Sequence, residues 1–512
     1  MTTYADEKHG REEKQTVEPM LVQDIALGEV RHTRVKKSFS LLSTLGVSFS
    51  ITSTPIAIGT YLSVSIGVGG SPVYFFGYIL SVLMDLCICA SLAEMAAVYP
   101  HSSGQTHWTA ALAPRKYARG LSYVVGWLTA AAYFFWTSAT FLITSQLIWA
   151  FVQICSSTFV VQAWHYYMVY LAVALVGLLV NIPLFKWYPY LLKGLVFYIN
   201  IGALFILIVL LVRSHPKQSA EYVFVDIVNL TGWSFNGVVF FLGMLPGLTA
   251  VNGFDCAAHI AEEVPEPKRQ IPLVMMLSAV TSALGGLTMI LVYMFCVTNP
   301  ANLVTPVGGQ PVAQLMLDSL DSLTLTLIGM LVFIITFAFA SSSMLTTWSR
   351  VWWCLAREGG TPLSNLQSRV SDRSQLPVNA ILFTSLACAL IGLLELGSAT
   401  ALNAILGGAI LCIFASYGIP IACSLLDQRR AFTGNHDVAL GFALPILNAI
   451  SVAWIAFVFV WLCFPLYIPV SLATMNWAVV VFFGIVALSG VNWLAHSHKH
   501  YTVPAAIESV EV

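Results

Sequence analysis

Charge is what this chain has least of. Of 512 residues only 9% are Asp, Glu, Lys or Arg, and 58% are hydrophobic. A soluble domain carries roughly 25% charge, so no water-facing surface of this size can be built here, and the chain reads as a multi-spanning membrane protein embedded in a lipid bilayer. The 23 basic and 24 acidic residues nearly cancel, which removes the electrostatic footprint of a nucleic-acid partner. Ten cysteines are scattered. Cys87 and Cys89 form CxC rather than CxxC, so neither a disulfide framework nor a metal site is implied. There is no GxxxxGK[ST] phosphate loop, no nucleophile constellation and no cofactor motif, so ATP-driven transport and enzymatic chemistry are not expected. No cleavable signal peptide is expected either: the first 38 residues are polar, and apolar sequence begins near Phe39.

What is present in quantity is apolar runs of bilayer length, about 20 residues each. Twelve are expected, at 40–67, 72–96, 120–152, 162–182, 190–212, 237–260, 271–297, 321–346, 377–396, 400–425, 438–463 and 474–495. The basic group Arg31, Arg34, Lys36 and Lys37 precedes the first run and places the N-terminus in the cytoplasm. With that orientation, all of the 23 Lys and Arg residues except Arg213 and Lys217 fall on the inner side. Both termini are therefore expected inside. The outer loop 213–236 contains Asn229-Leu230-Thr231, an N-glycosylation acceptor sequence. The inner loop 97–119, with His101, His107 and Trp108, is expected to hold a short interfacial helix.

Two runs are interrupted. The first contains Thr52, Ser53, Thr54, Pro55 and Gly59; the sixth contains Gly243, Pro246, Gly247, Asn252, Gly253 and Asp255 and ends in Glu262, Glu263, Glu266, Lys268 and Arg269. Residues that weaken or break helices are tolerated at membrane depth where protein or a water-filled cavity satisfies the backbone. One reading is a kinked helix with ordinary glycine packing; the other is a pair of broken helices lining a site. Interruptions at matching places in two halves point to a repeat. The first run goes outward and the sixth inward, so the halves have opposite topology. The expected fold is an all-α polytopic membrane protein with twelve transmembrane helices: an inverted five-helix repeat (39–212 and 237–425, joined by the loop 213–236) plus two further helices within 426–495. Cytoplasmic tails at 1–38, disordered, and at 496–512 flank it.

Broken helices free N–H groups suited to a carboxylate and C=O groups suited to an ammonium. They can therefore hold a small zwitterion or amine with few charged side chains. Candidate contacts are Thr52, Ser53, Thr54, Ala57 and Ile58 on the first span, and Gly243, Leu248, Thr249, Ala250 and Asn252 on the sixth. Trp136 and Phe240 are aromatic candidates for an ammonium group; otherwise they pack in apolar helices. Asp85 and Asp255 are intramembrane carboxylates, each either a relay or a satisfied structural group.

Thr54-Pro55-Ile56, Gly253-Phe254-Asp255 and the run from His259 through Glu262-Glu263-Val264-Pro265 to Ile271-Pro272 resemble the amino acid–polyamine–organocation transporters. The similarity spans about 39–495 and is greatest to the fungal amino acid/choline permease branch, which includes 4-aminobutyrate and choline permeases. The resemblance implies the twelve-helix inverted-repeat fold and secondary, commonly proton-coupled, uptake, and it places Thr54–Ala57, Gly59 and Leu248–Asn252 by the unwound segments. It implies a gating or loop-anchoring role for Glu262 and Glu263, through partners such as Arg119 or Arg350, and a coupling role for Lys193; the bland alternative is that Lys193 snorkels to the interface. The expected function is uptake of a 4-aminobutyrate-like amino acid or amine at the plasma membrane. The alternatives are choline or another quaternary amine, a nutrient receptor without flux on the same fold, and an internal organelle membrane.

Overall fold

The computed structural model describes residues 37–156, 158–397, 407–426, 441, 443–471 and 474–504. The basic residues Arg31, Arg34, Lys36, Arg429 and Arg430, most of the two tails and the start of the expected tenth span lie outside the described residues.

Eleven described helices are long and apolar enough to cross a membrane: α1 (Leu41–Ser65), α2 (Gly70–Val98), α3 (Arg115–Cys155), α4 (Ala163–Asn181), α5 (Tyr188–Arg213), α7 (Pro267–Cys296), α8 (Leu323–Arg357), α9 (Val378–Gly397), α10 (Gly408–Leu426), α11 (Ala443–Trp461) and α12 (Ala478–His500). Between α5 and α7 lies a shorter apolar helix, α6 (Asn236–Ala250). The expected sixth span of 237–260 is thus a helix that stops early, because Gly243, Pro246 and the turn after Ala250 divide it. α8 runs eleven residues beyond the expected end at 346, carrying Arg350 and Arg357. The short helix expected in the loop 97–119 is present at Gln105–Leu112, with six of its eight residues buried in the protein. Among the described residues one small departure from all-helical structure occurs: β1 (Val68–Gly69) pairs antiparallel with β2 (Val228–Asn229) and ties the α5–α6 connection to the α1–α2 link.

α1 is the most enclosed element. Inside the protein lies 83% of its most apolar window, against 22% for α12. It packs on α5, α7 and α8, while α3 packs on α8 and α10, and α2 on α7 and α11. Large side chains such as Leu175 of α4 and Phe197, Ile201 and Leu204 of α5 are exposed; on a membrane protein that surface meets lipid tails instead of water. The helices are therefore apolar on nearly every face, as their composition requires. A Ser, Thr or polar-aromatic seam is reserved for the faces turned inward, among them Ser50 to Ser343 and Tyr188 to Ser343, at 2.7 and 2.8 Å.

Candidate substrate site

Ser53 takes a left-handed conformation, φ +32°, and ends the first segment of α1 at Thr52. Pro55 has no N–H, so the carbonyl of Ile51 loses its helical donor. The N–H groups of Ile56 and Ala57 both return to the Ser53 carbonyl, at 2.9 and 2.8 Å, and the chain continues as one turn (Thr54–Ala57) followed by a tight 3-10 turn over Ile58–Tyr61. α6 divides at Gly243 and resumes at Leu245–Ala250. It then unwinds through Gly253, φ +95°, before a last turn at Cys256–His259.

The two breaks meet. The Thr54 hydroxyl donates to the Ala250 carbonyl, and the Asn252 amide donates to the Leu248 carbonyl. Both acceptors are carbonyls that unwinding deprives of helical partners. Thr52 shares a 2.8 Å hydroxyl contact with Ser282 of α7, and Tyr74 of α2 donates to the Ile58 carbonyl. Thr249 donates to the carbonyls of Leu245 and Pro246, at 3.0 and 3.1 Å. Thr52, Ser53, Thr54, Leu248, Ala250 and Asn252 are all buried. One freed carbonyl of α6 is thus taken by a side chain of α1, and another by a side chain of α6 itself.

Other candidates sit apart from this contact. A side chain at Gly243 would meet Val73 and the Val68 carbonyl, which places it by β1. Phe240 packs on Phe241, which stacks on Trp461 of α11 at 4.9 Å; Trp136 meets Tyr133 edge-on at 5.7 Å. Lys193 holds its ammonium 5.4 Å from the ring centre of exposed Tyr190. Asp85 is buried in α2, with neither carboxylate oxygen hydrogen-bonded among the described residues. The Asn229 amide nitrogen, which a glycan would occupy, donates to the Trp233 carbonyl at 2.7 Å, and its oxygen accepts from Thr231. A separate apolar cavity of about 200 Å³ lies by β1, lined by Leu62, Ser71, Tyr222, Met294 and Leu303.

Three other helices and its own helical turn converge on Asp255. Its Oδ1 accepts from the hydroxyls of Tyr133 (α3) at 2.9 Å and Tyr417 (α10) at 2.6 Å. Its Oδ2 accepts from Gln105 of the interfacial helix at 2.5 Å and faces His259 Nε2 at 3.3 Å. His259 Nδ1 lies 3.1 Å from the Ser102 carbonyl oxygen in the α2–α3 loop. Of these, the sequence singled out only Asp255 as a site. Asp255 and His259 at i and i+4 were a readable signal; Gln105, Tyr417 and Ser102 carry none.

Beyond this cluster two ion pairs close the charged end of the bundle. Arg357 grips Glu262 with both nitrogens, at 2.8 and 2.9 Å, and Arg350 meets Glu263 at 2.9 Å, fully buried. The expected partner Arg350 is there. Arg119, the other one, instead donates to the carbonyls of Tyr501 and His498, because α3 begins beside the end of α12. Ser102 Oγ accepts from the Glu262 N–H at 3.0 Å. Glu358, which follows α8, accepts from Ser103; burial pushes its carboxyl up to about 8. His101 and His107 stack at 4.6 Å, and burial holds both below the usual imidazole range.

An amino acid permease family model matches residues 39–487. A choline transporter of Saccharomyces cerevisiae is 30% identical over 93% of this chain and 83% of its own length. A swainsonine transporter of Arthroderma benhamiae is 29% identical over 93% and 94%, and amino-acid permease 2 of Neurospora crassa 29% over 94% and 89%. The family match covers the two breaks, the Asp255 cluster and the charged end together, and the chain belongs to the amino acid permease family of the amino acid–polyamine–organocation superfamily.

Proposed function

We propose that this protein is a proton-coupled secondary transporter that takes up a small amino acid or related amine, 4-aminobutyrate-like, at the plasma membrane. The observation that carries this reading is the contact between the breaks of α1 and α6 through Thr54 and the Ala250 carbonyl. Substrate binds there, its ammonium on freed carbonyls of Leu248 and Ala250 and its carboxylate on N–H groups at the restarted turns. On this reading α6 is the sixth of twelve crossings, α1–α5 and α6–α10 form the inverted repeat, and both termini lie in the cytoplasm.

The charged end is then the inner gate. With Glu262–Arg357 and Glu263–Arg350 formed, the way to the cytoplasm is closed. Transport requires those pairs to separate while the opposite end seals, a rocking of one helix group against the other around a fixed site.

The 30% identity to a choline transporter favours a second reading, a quaternary-amine permease. Choline has no N–H to give a carbonyl, so it would rely on aromatic faces. Uptake of labelled 4-aminobutyrate, choline and standard amino acids into proteoliposomes decides between them. We expect one compound to accumulate under an inward proton gradient and to be lost on adding an uncoupler. A ligand that binds and never accumulates under any gradient would make the protein a receptor and defeat the proposal.

A further inference from the structure

Asp255 and His259 stand one helical turn apart, both wholly buried, at 3.3 Å. Hydrogen-bond arithmetic around His259 is restrictive. A backbone carbonyl can only accept, so Nδ1 must carry a proton to bond the Ser102 oxygen. The gap between Nε2 and Oδ2 then requires one more proton. It exists in two forms of equal net charge: carboxylate facing imidazolium, or carboxylic acid facing imidazole. Removing that proton leaves lone pair facing lone pair at Asp255. If the remaining ring proton moves to Nε2, the clash moves to the Ser102 carbonyl.

The neighbours do not relieve this. Tyr133 and Tyr417 give their single hydroxyl hydrogens to Oδ1, and Gln105 gives an amide hydrogen to Oδ2. The Cys256 thiol is turned to Ser48 of α1. From α2, Cys89 lies within electrostatic reach of Asp255 and of Asp85, and neither adds a hydrogen bond to the pair. The contact with the loop is built for this ring. Gly104 has φ +51°, and a side chain there would begin 2.7 Å from His259 Cε1. The same loop residue, Ser102, holds the N–H of Glu262, whose carboxylate is gripped by Arg357.

We infer that Asp255 and His259 together bind the proton that drives transport, and that His259 ties its presence to closure of the inner gate through Ser102. This rests on the transport reading above. With the proton in place, His259 bonds both partners, in keeping with the 3.1 and 3.3 Å distances, and the Ser102 loop stays on the gate. When the proton passes to water on the cytoplasmic side, one of the two contacts turns repulsive and the loop is released. By linkage, the inward-open state binds the proton less tightly than the closed one.

Two measurements test this on the full-length protein, and the first needs no substrate. Hydrogen exchange of residues 99–104, corrected for the intrinsic pH effect, is followed against pH in Glu358→Gln, which silences the carboxyl that Ser103 bonds, and in the same background carrying His259→Gln or Asp255→Asn. We expect protection to fall as pH rises in Glu358→Gln and the pH dependence to be lost in both double variants. A Glu358→Gln protein without pH dependence, or a double variant that keeps it, overturns the inference. The second is uptake of labelled choline and amino acids into proteoliposomes. His259→Gln and Asp255→Asn alone should exchange the compound that wild type accumulates, yet only equilibrate it under a proton gradient; full accumulation by His259→Gln also overturns the inference. If wild type accumulates nothing while the exchange result holds, the transport reading fails and the proton-operated loop stands. The Glu358→Gln pH profile remains decisive should either double variant not fold.

Discussion

Arg350 and Arg357 lie two helical turns apart on α8 and hold adjacent glutamates, but they are not equivalent. The Arg350–Glu263 pair is 1% and 2% exposed, the Arg357–Glu262 pair 22% and 15%. Removing one partner of a buried pair strands the other charge and costs about 3–5 kcal/mol, whereas water can reach a carboxylate left by the more open pair. Arg350→Ala should therefore lower the melting temperature in detergent well below that of Arg357→Ala; equal losses would mean that water reaches both. Glu358 gives a pH signature at the same scale. Burial raises its carboxyl from 4.5 to about 8, so between those values the folded protein holds a proton that the unfolded chain releases. Its stabilising effect is complete below 4.5 and fades as pH rises through about 8. Thermal stability should decline over that window, and Glu358→Gln should flatten the decline. The same slope in both proteins would refute this assignment.

At the scale of elements, the breaks are held by close packing on α7. A side chain at Gly286 would begin 2.1 Å from the Tyr78 hydroxyl and 2.6 Å from Thr54 Cγ2. Gly286→Ala should thus push α7 away from the α1 break, cost about 1–3 kcal/mol in overpacking and reduce uptake; a variant that melts and transports like wild type would show that this contact does not set the site. The breaks themselves were legible, because Pro55, Pro246 and Gly253 interrupt helices through their own covalent geometry. The contact between them was not, since a Thr54 hydroxyl on an Ala250 carbonyl depends on how two distant helices cross. The same limit explains Arg119 and Arg357. Either could be brought to Glu262 as far as sequence goes, and only the length of α8 and the seat of α12 decide between them. The sequence leaves Asp255 as either a relay or a satisfied structural carboxylate, because its donors come from α3, α10 and the interfacial helix; His259, one turn away, is the part that spacing alone offers. Phe240 was chosen for chemistry appropriate to an ammonium, but its ring belongs to a cluster with α11.

Across the whole molecule, composition conveys most. Few charges, long apolar runs and basic residues gathered between them anticipate a polytopic bundle, and the eleven long helices with one short interrupted partner match that description. One polar band of the bundle runs from the joined breaks through Asp255 to the ion pairs and on to the residues after α12, where Thr502 N–H meets the Glu358 carbonyl at 2.9 Å. On the proposed function, substrate is held where α1 and α6 break. The direct measurement is hydrogen exchange by mass spectrometry on the full-length protein, with and without the compound that proteoliposomes accumulate. Added protection should appear in residues 50–59 and 243–256 and be absent from 443–461. Protection confined instead to the cavity by Leu62, Tyr222 and Leu303, with the two breaks unchanged, would contradict it.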